Sequence, residues 1–305
     1  MGSKTKIIGI AFILGLAIAF ASGCGFQREN DYINNENYAT GTEGISINFI
    51  KQSIPETIYA GDKLDLQLEV KNKGAYDNPA GKIVIYGFDK DKMYYSETEK
   101  ELPELMGKKP TAMSGGYDIV TFEAGNPIEL EGSSYSPTVI ASACYYYETI
   151  ATTPVCVADT PINPLKDDVI CKPGTTMLKS QGAPVAVTAI KESISDNMLH
   201  FIVEIKNTGK GTVVSPDFES YDRCPFLEKD DIDKVKVEIK VNGLGSPEYE
   251  PEDGIVRLVD GKGVIYAKFV TRDKSTYESE MRIKLSYFYM SSDKVRLNIE
   301  KIADK

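Results

Sequence analysis

Five cysteines, a single histidine and several clusters of carboxylates are the residues of this 305-residue chain whose types and spacing could do chemistry. Imidazole is the usual base near neutral pH and a common metal ligand, so one histidine, His200, argues against His-based triads and multi-histidine metal sites. No nucleophile motif surrounds it, and its phase puts it on the more polar face of a strand, where a surface histidine is expected. Asp89 and Asp91, then Asp230, Asp231 and Asp233, then Glu248, Glu250, Glu252 and Asp253 could supply the oxygen ligands that calcium prefers. Lys90, Lys92, Lys229 and Lys234 interleave them and no D-x-[DN]-x-[DN]-G spacing occurs, so solvated loops are the expectation. No pair of carboxylates is identifiable as a glycosidase pair. The sequence thus assigns no catalytic residue, no metal and no cofactor, and the expectation is a protein that is not an enzyme.

Cys24 has a different chemistry. It ends MGSKTKIIGIAFILGLAIAFASGC, in which two lysines, an apolar run and small residues give the layout of a secretory signal peptide over 1–23. Ala21-Ser22-Gly23-Cys24 resembles the lipobox of lipoproteins, with Ala21 in place of the commoner Leu; the resemblance implies that Cys24 is acylated and becomes the mature N-terminus. An uncleaved anchor is the alternative, since Ile7 to Phe26 is uncharged and just long enough to span a bilayer; plain secretion is the third. All three place the remainder outside the cytoplasm, held through Cys24 at the outer face of a membrane in the first. Residues 24–43 are rich in Asn, Glu and Gly, without a period of 2 or 3.6, and read as a tether.

Setting Cys24 aside leaves Cys144, Cys156, Cys171 and Cys224, an even set in a compartment that permits disulfides. No pair has the C-x2-4-C spacing of a zinc knuckle. Three connectivities are open, and an internal repeat bears on the choice. Leu68-Glu69-Val70-Lys71-Asn72-Lys73-Gly74 matches Val203-Glu204-Ile205-Lys206-Asn207-Thr208-Gly209, Ile50–Ser53 matches Ile190–Ser193, and CYYYETIATTPVCV (144–157) aligns without gaps on SYFYMSSDKVRLNI (286–299). Two domains are expected, 44–160 and 182–305, joined by a linker at 161–181.

Both repeats alternate with the period of half-buried strands. Leu64, Leu66, Leu68 and Val70 share one face, as do Leu199, Phe201, Val203 and Ile205; further strands are expected at 82–87, 117–123, 233–242, 254–259 and 263–271. Residues 99–108 could make a single helical turn before Pro103 interferes. Strands in this number without intervening helices favour antiparallel sandwiches. In the last strands, Met281, Ile283, Leu285, Tyr287 and Tyr289 must point inward, and the same phase turns Val139, Ala141, Ala143, Tyr145 and Tyr147 inward. Cys144, Tyr146 and Phe288 then face outward, and with a turn near Ile150 Cys144 would oppose Cys156 on an adjacent strand. That reading pairs Cys144 with Cys156 and leaves Cys171 for Cys224. Tyr146 and Phe288, equivalent and outward, are the candidate contact surface, for a partner or equally for packing between the two domains. No N-x-[ST] sequon occurs.

AGDKLDLQLEVKNKG (60–74) and, more weakly, LHFIVEIKNTGKG (199–211) resemble the opening of the CARDB-like group of immunoglobulin-like sandwiches in archaeal and bacterial surface proteins, an alternating strand ending in Asn-x-Gly. The resemblance implies two tandem immunoglobulin-like β-sandwiches used for adhesion, spacing or surface assembly; the stretch 88–116 is an insertion relative to a minimal domain. With a net charge of -10 and no segregated basic patch, nucleic acid is excluded as an expected partner. The partners expected are a membrane, through the lipid on Cys24, and another surface protein or copies of the chain itself. A self-assembling subunit of a surface layer or filament, its edge strands pairing with copies of itself, is the first alternative, and a substrate-binding or accessory module of an exported enzyme or transporter the second.

Overall fold

Period-2 patterning makes strands almost throughout. The structure, a computed structural model, describes residues 38–78, 80–162, 169–218, 221–271 and 275–302. The signal segment and Cys24 lie outside the described residues. The first repeat supplies β1 (Ile45–Phe49), β2 (Ile58–Tyr59), β3 (Leu66–Asn72), β4 (Gly81–Tyr86), β5 (Glu99–Glu101), β6 (Tyr117–Phe122), β7 (Ser134–Tyr135) and β8 (Thr138–Val157). Next come β9 (Thr175–Met177), β10 (Val185–Ser195), β11 (Met198–Asn207), β12 (Thr212–Val214), β13 (Lys234–Val241), β14 (Glu248–Glu250), β15 (Ile255–Arg257), β16 (Lys262–Val270), β17 (Tyr277–Arg296) and β18 (Ile299–Glu300). Among the described residues helix is confined to three short 3-10 turns. The chain is therefore all-β and antiparallel in its main sheets.

One sheet runs through the middle in the order β15-β13-β17-β8-β4-β5, with β12 also on β17. On it lie two smaller sheets: β1-β3-β6 from the first repeat and β14-β16-β11-β10-β9 from the second. Facing side chains make each half sandwich-like: Leu66, Leu68 and Val70 of β3 and Ile45 of β1 meet Ile83, Val139 and Tyr145, while Phe201, Val203 and Phe269 meet Val237, Ile283 and Leu285, all buried in one hydrophobic cluster. Leu64 and the predicted inward residues of both last strands are buried as their phase requires.

The expected turn near Ile150 does not exist. β8 is a single strand of 20 residues, as is β17, and the two pair antiparallel along their whole length, from Thr138↔Arg296 to Val157↔Tyr277. The physical reason lies in the segment itself: Thr149, Ile150, Thr152 and Thr153 are β-branched, and no Gly, Asn or Asp interrupts them, so the chain stays extended. Half of each long strand thus lies under its own repeat and half under the other. β18 continues the exchange, pairing with β2 and β7 of the first repeat and burying Ile299. The described residues belong to one compact unit.

The disulfide pairing must be corrected with the turn. Cys144 and Cys156 share one face of one strand, twelve residues and therefore about 40 Å apart, far beyond bridging distance. The bonds are Cys144–Cys224, with Cα atoms 6.4 Å apart, and Cys156–Cys171, with Cα atoms 5.5 Å apart. The first fastens a loop of the second repeat onto the first; the second folds the connecting segment onto the end of β8. The single helical turn expected within 99–108 is also absent: 99–101 form β5 on β4, and Leu102 and Leu105 are buried. The insertion belongs to the first core, to which it adds Met93 and Tyr95.

Candidate functional site

The predicted contact pair, Tyr146 and Phe288, occupies the outer face of the central sheet and marks its symmetry. The repeat makes these two residues equivalent, and the register also places them directly opposite, with Tyr145↔Tyr289 and Tyr147↔Tyr287 on either side. A pseudo-twofold axis therefore passes between the two rings, whose centroids are 5.4 Å apart. They are half-buried and not bare. Tyr76 covers Tyr146 at 5.9 Å, while Phe218 and Tyr221 stand 5.7 and 5.6 Å from Phe288. Arg223 lies 5.1 Å over the Phe218 ring. Tyr76 comes from the β3–β4 loop, and the cover of Phe288 from the loop after β12, which Cys144–Cys224 holds against β8. Beyond the bond, Phe226 is 72% exposed and stacks edge-on against Tyr86 at 5.5 Å. The outer face thus carries a row of aromatic rings about Tyr146 and Phe288 and, separately, an exposed phenylalanine packed on Tyr86 two residues from the disulfide.

Charges border the row. Tyr146 donates its hydroxyl to Glu148 Oε1 at 2.6 Å, and burial together with that acceptor holds the phenol protonated well above the ordinary tyrosine range. Lys284 lies between Glu148, at 3.7 Å, and Glu238, at 3.4 Å.

Inside the sandwiches the four equivalent tyrosines form two matching sets of hydrogen bonds. The Tyr145 hydroxyl meets Ile45 N–H and Ser291 Oγ, and the Tyr287 hydroxyl meets Val185 N–H and Thr149 Oγ1. Tyr147 donates to Asn72 Oδ1 and Tyr289 to Asn207 Oδ1. Each asparagine also accepts the N–H of the glycine two residues on, Gly74 or Gly209, which is the turn the Asn-x-Gly motif encodes. Asn72 is fully buried and complete: its Nδ2 donates to Tyr76 O and Leu105 O. Burial raises the pKa of these phenols, that of Tyr289 to about 12, so they act as neutral structural groups.

The other candidates stand apart from this face. His200 Nε2 lies 2.8 Å from Ser195 Oγ on the open outer side of the five-stranded sheet, opposite Lys268, with no carboxylate hydrogen-bonded to it among the described residues. Asp89 is engaged by Lys92 and by Asp91 N–H, Asp231 by Arg223 and Glu228 N–H, and Asp253 by Ile255 N–H. Among the described residues no three His, Cys, Asp or Glu side chains gather as a metal-ligand set. Glu192 was not a candidate from sequence. It sits at the margin of the second core, where its Oε1 accepts Cys156 N–H at 2.9 Å, and burial pushes its carboxyl up to about 7.

No protein-family model matches the chain, and no curated protein matches it either. The four cysteines of the described residues are all paired, as in proteins of oxidising compartments outside the cytoplasm. No described helix is long and apolar enough to cross a membrane.

Proposed function

We propose that this chain is a non-catalytic extracytoplasmic protein, anchored through a lipid on Cys24, whose two immunoglobulin-like halves of CARDB-like type present the outer face of the central sheet to another surface component. The observation that carries the reading is the Cys144–Cys224 bond: it fixes covalently the loop that displays Phe226 and roofs Phe288 with Phe218 and Tyr221. A large exposed aromatic held in place loses little freedom on binding and serves as an anchor for a partner. Fused halves sharing one sheet suit a spacer that must not flex in its middle.

Crosslinking on intact cells followed by mass spectrometry tests the display. Links from the 215–228 loop to a distinct surface protein or polysaccharide-bearing component are expected, and Phe226→Ala should reduce them; links that ignore Phe226 would overturn the reading. The anchor is tested separately. Cys24→Ser should release the protein from membranes or block its processing, whereas retention at unchanged size would favour an uncleaved helix.

A second reading, self-assembly at the cell surface, is favoured by the bare edge of β6, at which Tyr117 and Ile119 are exposed.

A further inference from the structure

We propose that β6 is a self-pairing edge: two copies of this chain join by antiparallel addition of Tyr117–Phe122 to its own counterpart, merging two three-stranded sheets into one of six strands. The proposal deepens the self-assembly reading and rests on it, but needs no lipid anchor.

The first observation is an asymmetry between the repeats. In the second, β16 carries β14 along its outer edge, with Glu248↔Lys268 and Glu250↔Tyr266, and β10 carries β9. Among the described residues the first repeat has neither flanking strand, and its sheet stops at β1 on one side and β6 on the other; the outer edge is met only past the end of β6, where Ala124 bridges Tyr95 and Gly125 N–H reaches Tyr94 O. β1 is closed from within the molecule: the Tyr145 and Ser291 hydroxyls meet Ile45, and the Asp293 carboxylate accepts Phe49 N–H. At β6 the described residues close a single atom, Asp118 Oδ1 accepting Ile119 N–H at 2.7 Å. Asn72 N–H reaches Gly116 O, so the even-numbered residues of this strand turn their main chain toward β3. Tyr117, Ile119 and Thr121 therefore turn theirs outward. A strand edge in that state is a template for another chain.

The second observation is that the side chains suit a copy of themselves. Pairing about Ile119 sets Ile119 against Ile119 of the second copy and Tyr117 against Thr121, with Asp118 opposite Val120. Aliphatic and aromatic–β-branched cross-strand pairs are stabilising, and no like charges oppose each other. Tyr117 is 54% and Ile119 45% exposed in the single chain, so both gain burial. The strand has no lysine or proline to guard its edge. Its guard is Asp118, whose carboxylate must release Ile119 N–H before that group can donate to the second copy. Because the contact is isologous about a twofold axis, it closes at two copies and does not run on into a fibre.

Analytical ultracentrifugation of the full chain in detergent is the test. The unmodified protein should dimerise reversibly. Ile119→Lys, which opposes two lysines on the axis, should weaken the dimer at least about tenfold, and Asp118→Ala should tighten it. Register is read by disulfide trapping: Ile119→Cys should link to itself, and Tyr117→Cys to Thr121→Cys but not to itself. A chain that stays monomeric, a dimer indifferent to Ile119→Lys, or Tyr117→Cys linking to itself would overturn the proposal. Cys24→Ser fractionation, scored on its own, distinguishes failure of this edge from failure of the anchored-display reading.

Discussion

Glu192 is a carboxyl placed where a carboxylate is costly. Its pKa stands near 7 in the folded chain because burial opposes ionisation, with the Cys156 N–H offsetting part of that penalty, whereas the unfolded chain titrates near the ordinary glutamate value. Between about pH 4.5 and 7 the unfolded state has lost this proton and the folded state keeps it, so stability falls as pH rises through that window. Glu192→Gln keeps an oxygen for Cys156 N–H and should remove this fall; urea denaturation midpoints taken across pH 4 to 8 would show it. Asn72 makes the opposite case, a buried polar side chain with every site satisfied. Asn72→Ala orphans Gly74 N–H and Tyr76 O and takes one of the partners of Leu105 O and of the Tyr147 hydroxyl, and should cost about 3 kcal/mol in the same assay. That Tyr146 and Phe288 share an outward phase was readable from alternation alone. Their roof was not, because Phe218 and Tyr221 arrive from a loop more than seventy residues beyond Tyr146 and nothing local announces where that loop lands.

Between neighbouring residues the alternation was legible: every side chain assigned inward on β3, β8 and on β17 as far as Tyr289 is buried. What failed was length. Period 2 is blind to whether a strand stops and folds back or runs on, and Thr149–Thr153 carries no turn residue to stop it. The partner of β8 is β17, in the other repeat, with Tyr147 opposite Tyr287 and Thr149 opposite Leu285. Running on is therefore decided by tertiary pairing that no local window contains. The disulfide assignment fell with the turn. The two bonds should differ in effect: by the chain-entropy argument the loop closed by Cys144–Cys224 is worth about 4.5 kcal/mol and that closed by Cys156–Cys171 about 3. Paired Cys→Ala variants compared by thermal denaturation would check the order, and non-reducing peptide mapping the connectivity. The Cys144–Cys224 variant should also free Phe226, which limited proteolysis of the 215–228 loop would reveal.

Because β8 and β17 each serve both repeats and β18 returns to the first, neither half owns a complete sandwich. One calorimetric transition with equal calorimetric and van't Hoff enthalpies is therefore expected, in place of two. A fragment of residues 44–160 leaves half of β8 unpaired and should aggregate. The pairing of Tyr146 with its own equivalent, Phe288, has a further meaning. If the two repeats were made identical in sequence, the same contacts would arise with no covalent connection between them, since the axis maps each half onto the other. A single repeat with one consensus sequence should accordingly assemble as a homodimer, with one aromatic ring meeting its twin at the centre. The present chain has the form that gene duplication and fusion of such a self-recognising ancestor would leave behind, with halves that differ at their edges: the sheet of the first ends at β1 and β6, while that of the second carries β9 and β14.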